Sequence, residues 1–329
     1  MSSPCVFRKR ENSNYLAFIE ITNSCNMRCK HCMNWSVENS NEGFEKEKIQ
    51  NLIKDLYENN IEEIYISGGE PLLYPYIDDA ILYANSLGIK VTLATNAFEV
   101  PNHLEAIKKG VQLVSISLDG IRETHDNFRG VSGAFDNCVK VFKLLKENNV
   151  KTRISAMIWK ENIEQLEEMI SLAKLCGVSK VNLAFLIPEG RAKNDDTIKL
   201  PIERYKEMVD KVDELRKKYK SEDFDIEIRR NNLLDVNSLD CPGGKNLIHI
   251  NVNGKVSPCS WIAKLDKDDE FSAYWPEYSI KECIDKFNNF NKVVELRKDK
   301  YGYCGCIALS KIYNGKFTDA DPLNSFLEM

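Results

Sequence analysis

Long apolar runs are missing from this 329-residue chain. None approaches the ~18 residues that a bilayer-spanning helix needs, which excludes a helical membrane protein. The N-terminal MSSPCVFRKR lacks the apolar core of a secretory signal, so a cytoplasmic location is expected. A basic stripe is missing too: 45 basic residues stand against 50 acidic ones, for a net charge of −5. Duplex binding leans on phosphate neutralisation, so no nucleic-acid partner is expected. No low-complexity tract or internal repeat interrupts the chain. With 43% hydrophobic and 29% charged residues, disorder and fibrous structure are excluded, and the length suits about two domains. What the sequence has in excess is cysteine, eleven in all. Without a signal peptide they point to a reducing compartment and to thiolates with work other than disulfides.

Short β-branched, nearly continuous apolar segments recur at 16–21, 62–67, 91–95, 113–118, 152–158 and 180–186, as in strands whose outer face is covered by helices. Helical patterns lie between or after them at 44–59, 74–87, 102–109, 133–148, 163–176 and 203–219. In the fourth, Phe135, Val139, Phe142 and Leu145 fall three or four apart on one face. Gly88 and Gly177 stand where C-terminal caps tend to be. Repeated β-α units with short connections predict right-handed crossovers and a parallel α/β sheet. Six units suffice for a partial, TIM-like (β/α)6 barrel, two short of the closed eightfold one.

From about 222 the rhythm changes, so residues 1–221 and 222–329 are expected to be a barrel domain and a small cysteine-rich α+β extension. NLIHINVNGKVSPC reads as a β-hairpin turning at Asn253-Gly254. A helix is expected over 279–298, followed by YGYCGC and a tail. The acidic stretch 266–270 reads as a solvated loop. With few large apolar residues, this segment is of the kind that a metal or disulfides hold together.

Cys25, Cys29 and Cys32 crowd into eight residues just past the first strand, where barrels of this kind carry their active sites. Such close thiolates repel one another unless a metal neutralises them. An iron–sulfur cube accepts this spacing, and three protein ligands leave one iron open. The competing reading is zinc with His31 as fourth ligand, although His31 adjoins Cys32 and both would have to reach one tetrahedral centre. Cys138 and Cys176 lie in helical patterns and read as small buried hydrophobes, like the isolated Cys5 and Cys283.

Cys25-x3-Cys29-x2-Cys32, with His31 before the last cysteine, resembles the signature of the radical S-adenosylmethionine (SAM) superfamily. Ser67-Gly68-Gly69-Glu70-Pro71, at the end of the second strand, is similar to that family's second motif. Thr95-Asn96, Ser117-Leu118-Asp119-Gly120, Phe128-Arg129-Gly130 and Pro188-Glu189-Gly190-Arg191 extend the likeness over most of the chain. The resemblance implies a [4Fe-4S] cluster on the three cysteines whose open iron chelates SAM. Electron transfer would then yield a 5′-deoxyadenosyl radical that abstracts hydrogen from a substrate carbon, in anaerobic work with a flavodoxin- or ferredoxin-type electron donor. It implies cofactor contacts from His31, Gly68, Gly69, Glu70, Pro71, Asn96, Ser117, Asp119 and Arg129. The glycines would let the backbone approach the cofactor, Pro71 would hold Glu70 extended toward the cationic amino group, Arg129 and Ser117 would meet its carboxylate, and His31 would pack near the adenine. Arg129 in a plain ion pair and Asp119 as a turn cap remain open alternatives.

Cys241-Pro-Gly-Gly leading to Gly254-x4-Cys259 resembles the first half of the cysteine-rich extension called SPASM, and Cys304-Gly-Cys306 looks like a shortened form of its later segment. The cysteine pair expected before Cys304 is absent, and so is a terminal one. Four ligands remain, as in the single-cluster version called twitch, which implies one auxiliary [4Fe-4S] cluster. A zinc site of four thiolates is the alternative. The expected activity is modification of a ribosomally made peptide by crosslinking, epimerisation or oxidation. Two-electron oxidation or rearrangement of a small molecule such as a sugar or cyclitol alcohol is the second reading, and a zinc-stabilised binding protein the non-enzymatic one. An epimerase would need a hydrogen-donor thiol, and Cys283 or Cys5 could be considered for that role, although neither spacing argues for it.

Overall fold

Strands β1 (Leu16–Glu20), β2 (Glu63–Ser67), β3 (Lys90–Thr95), β4 (Leu113–Ser117), β5 (Thr152–Ile158) and β6 (Lys180–Phe185) occupy the six expected segments of the computed structural model, which describes residues 15–36, 40, 42–229 and 241–322. Helices α1 (Lys46–Glu58), α2 (Ile77–Ser86), α3 (Leu104–Gly110), α4 (Glu123–Arg129), α5 (Ala134–Glu147), α6 (Leu166–Leu175) and α7 (Tyr205–Tyr219) run between and after them. On α5 the buried face is Phe135, Cys138, Phe142 and Leu145, which packs on the sheet's apolar outer side. Gly88 and Gly177 follow α2 and α6 with φ of +83° and +75°, the left-handed conformation that ends a helix.

Four strands lie beyond these six: β7 (Asp225–Arg229), β8 (Leu247–Ile250), β9 (Lys255–Ser257) and β10 (Ala273–Tyr274). They join one sheet of order β10-β9-β8-β1-β2-β3-β4-β5-β6-β7, parallel from β8 through β7. The fold is thus an α/β partial barrel whose C-terminal extension continues the barrel's own sheet. Leu16 pairs with Glu63 on one side and Leu247 on the other. The hairpin turns at Gly254, where a Cβ would stand 2.1 Å from the Trp275 carbonyl oxygen.

The extension holds α8 (Ser260–Leu265), α9 (Ile280–Asp285), α10 (Asn288–Tyr301) and α11 (Ile307–Asn314). The single helix expected over 279–298 is two, because the chain turns at Lys286 and Phe287 to bury Phe287 and Phe290. The stretch 266–270 is not a plain solvated loop. Asp266 is buried, accepting from the Glu270 and Phe271 amides, both at 2.9 Å, so its carboxylate organises the turn. Cys138, Cys176 and Cys283 are buried as expected, while Cys5 lies outside the described residues. No helix among the described residues is long and apolar enough to cross a membrane.

Candidate active site

The loop after β1 carries the three close cysteines and is stitched to the ends of other strands. Gly69 N–H donates to the Thr22 carbonyl at 2.5 Å and Glu70 N–H to that of Ser24 at 2.7 Å. A Cβ on Gly69 would lie 2.0 Å from the Ser24 oxygen, and one on Gly68 2.4 Å from that of Thr22. The close approach these glycines permit is therefore to the chain's own cysteine loop, a partner that motif reading does not name. From the far side Lys30 N–H reaches the Phe128 carbonyl at 2.9 Å, and Arg191 N–H that of Cys32 at 3.0 Å. The Arg191 guanidinium adds bonds to the carbonyls of Ser36, at 2.6 Å, and Cys29.

Held in this way, Cys25, Cys29 and Cys32 line one cavity with Gly69, Glu70, Pro71, Asn96, Ser117 and Arg129. Nine expected site residues thus converge from the loop, the ends of β2, β3 and β4, and the last residue of α4. Among the described residues no three His, Cys, Asp or Glu side chains crowd closely enough to hold a single metal ion. The three thiols ring a shared space instead, which suits a multi-iron centre. Burial, with the charge of Glu70 added, pushes Cys25 up to about 12, so a thiolate there calls for a cationic centre. Arg129 Nη1 stands 3.7 Å from Cys29 Sγ. The donor set fits a cluster.

Glu70 is buried, and burial raises its carboxyl to about 7 even though it accepts from Asn96 N–H, Thr95 Oγ1 and Leu72 N–H. Asn96 also donates from its side chain to Asn26 Oδ1 at 2.6 Å. Three expected residues do not line the cavity. Gly68 packs on the loop backbone. His31 stacks flat on Phe128, centroids 4.5 Å apart, and Phe128 on Trp159 at 4.3 Å. Asp119 is neither exposed nor a mere turn cap. Its Oδ1 accepts from Met157 N–H at 2.7 Å, its Oδ2 from Arg129 Nε at 2.6 Å, and its carbonyl from Trp159 Nε1 and Asn162 Nδ2. Burial alone would lower Arg129, but Asp119 and Cys29 hold it above its ordinary value.

The concave face of the sheet below this cavity is polar, which the motifs do not reveal. Phe18 stacks on Tyr65, Arg153 lies over the Tyr65 ring, and Arg153 Nε donates to Ser115 Oγ at 3.0 Å. Glu20 accepts from Asn34 Nδ2 at 2.7 Å and lies 3.2 Å from His249 Nε2 on β8. Asn182 is the register partner of Ser155, itself the partner of Ser117, so the three side chains share this face. Asn182 is 1% exposed and neither end of its amide has a partner. The legible signal was a polar residue at alternate positions of otherwise apolar strands.

Residues 19–173 match the profile of the Radical SAM superfamily. This stretch is a radical SAM domain. The chain is 27% identical to the AdoMet-dependent heme synthase of Methanosarcina barkeri (strain Fusaro / DSM 804) across 92% of this chain and 94% of that one. It is 23% identical to the PqqA peptide cyclase of Bradyrhizobium diazoefficiens across 92% and 84%. Among solved structures, native anSMEcpe with bound AdoMet and Cp18Cys peptide superposes with a TM-score of 0.75 at 16% identity, covering 96% of this chain and 95% of that one. Enzymes of this superfamily use a [4Fe-4S] cluster and SAM, and the further cysteines of this radical SAM chain suit an auxiliary cluster.

Proposed function

We propose that this radical SAM enzyme modifies a peptide, with Cys25, Cys29 and Cys32 holding the SAM-binding cluster and Glu70, Asn96, Ser117 and Arg129 around the cofactor. When bound, the cluster and SAM supply a 5′-deoxyadenosyl radical. The chain's own part is placement: Asp119 fixes Arg129 beside Cys29, residues 68–70 and 190–191 brace the cysteine loop, and the barrel floor receives the substrate. The observation that carries the peptide reading is that floor. Its described charges largely offset one another, Glu20 facing His249 and Lys180 paired with Glu227 at 2.7 Å, while Arg153 lies over the Tyr65 ring. Such a face suits a neutral hydrogen-bonding substrate better than a polyanion. Asn182 presents an unmet donor and an unmet acceptor side by side, as a peptide unit requires. Relatives and neighbours named for peptides, the PqqA peptide cyclase and the peptide-bound anSMEcpe, are consistent with this reading.

A second reading, oxidation of a small molecule of the tetrapyrrole class, is favoured by the end-to-end match to the heme synthase. Anaerobic reconstitution with SAM and a reductant, together with a peptide encoded beside the gene, separates the two. A mass change in the peptide and release of 5′-deoxyadenosine are expected, and both vanish in the Cys25/Cys29/Cys32→Ala protein. Asn182→Leu is expected to raise KM for the peptide roughly tenfold, the worth of one or two hydrogen bonds, while 5′-deoxyadenosine release without peptide is unchanged. An unmodified peptide alongside turnover of a porphyrin would replace the first reading with the second.

A further inference from the structure

Arg297, on α10, is a fully buried cation in the extension, far in sequence from the barrel site. Burying a guanidinium is costly unless its donors are met. Most are: Nε donates to the Cys304 carbonyl at 2.5 Å, and Nη1 to Ser310 Oγ at 2.6 Å, to the Phe317 carbonyl at 3.0 Å and to the Asp319 carbonyl. One nitrogen, Nη2, is buried with no partner. It lies beside Gly305, 3.1 Å from where a Cβ on that glycine would stand, and Gly305 has φ of +64°. The carboxylate that shares this space, Asp321, accepts from the Cys306 N–H at 2.7 Å. Arg297 and Asp321 thus crowd the same side of Gly305 and tie down the Cys304-Gly305-Cys306 segment, and the one unmet pair of Arg297 N–H groups lies against the glycine that separates the two cysteines.

We propose that Arg297 is a positioning residue for the auxiliary centre: it fixes the Cys-Gly-Cys bridge and turns Nη2 toward the anionic sulfur-bearing group those cysteines hold. This rests on the reading that Cys241, Cys259, Cys304 and Cys306 hold an iron–sulfur cluster. A buried positive charge stabilises the more negative of two redox states, so Arg297 favours one-electron uptake by that cluster, raising its midpoint potential. It also explains why a glycine separates the cysteines, since any side chain there would meet Arg297 and Asp321.

The test uses the full-length Cys25/Cys29/Cys32→Ala protein, in which retained iron reports only the extension, reconstituted anaerobically and titrated with dithionite under EPR. About four irons per chain are expected. Adding Arg297→Met is expected to make one-electron reduction at least tenfold less favourable, a fall of about 59 mV. Adding Arg297→Lys, which keeps the charge without the planar fork, is expected to move the midpoint less while shifting the Fe–S stretching bands in resonance Raman. An unchanged midpoint in folded, iron-loaded Arg297→Met overturns the inference and leaves the cluster reading standing. Zinc, or no metal, in the triple variant overturns both. Should Arg297→Met fail to fold, Arg297→Lys decides: a midpoint and Raman bands identical to the parent's sink the proposal.

Discussion

Glu20 and Glu70 are the same residue type, both fully buried, and their carboxyls move in opposite directions. Burial pushes each up. At Glu70 three neutral donors only partly oppose it, and the group settles near 7. At Glu20 the charge of His249 and its ring contact, with Lys264 and Asn34 behind, reverse the effect and bring the group to about 2. A cation decides the difference, as general electrostatics requires. For Glu20 the sign is that of a depressed acid: its stabilisation is complete above its ordinary value of 4.5 and is lost as pH falls toward about 2. The shift corresponds to at most about 3 kcal/mol. Denaturant titrations across this acid window are expected to show Glu20→Gln losing that part of the slope, and an unaltered slope would remove His249 as the carboxylate's partner.

At the scale of elements, the cysteine loop owes its shape to contacts with other segments. Its bonds run to residues 68–70 after β2, to the end of α4, and to the loop after β6. Gly190 shows how close these approaches are: with φ of +64°, its Cβ would stand 2.4 Å from the Cys32 carbonyl oxygen. Gly69→Ala and Gly190→Ala are therefore expected to destabilise by about 1–3 kcal/mol or more, and to lose iron from the N-terminal site first. Gly88→Ala, where a Cβ meets nothing within 4 Å, is expected to cost only about 1 kcal/mol, for its backbone conformation, with iron intact. Thermal melts paired with iron counts check all three. The first six strands, the hairpin and the barrel's longer helices were legible because covered parallel strands and amphipathic helices leave strong periodic signals, whereas β7 and the two-residue β10 were not anticipated. Nor was helix α4. It is seven residues long, and its C-terminal cap, Gly130, reads as an ordinary turn glycine.

At the scale of the whole molecule, the extension is built onto the barrel. Strand β8 extends the sheet at the edge of β1, and Tyr15 Oη donates to the Gly244 carbonyl at 3.2 Å. Asp55 on α1 accepts from Trp275 Nε1 at 2.9 Å and from Ile280 N–H at 3.2 Å. Barrel and extension are therefore expected to unfold together. Tryptophan fluorescence, reporting Trp261 and Trp275 in the extension beside Trp35 and Trp159 in the barrel, should coincide with far-ultraviolet circular dichroism in one transition, and two separated midpoints would contradict the continuous sheet. By itself the sequence determined the strand and helix rhythm, the cysteine spacing and the GGEP turn, because each is a local pattern whose chemistry is set by neighbours along the chain. Only the tertiary structure decided that the glycines serve the cysteine loop, that Asp119 is locked onto Arg129, that Asn182 and Glu20 face a common floor, and that Arg297 reaches the Cys304–Cys306 bridge. Each of those depends on which side chains distant strands and helices bring into contact, and the packing of the whole sheet settles that.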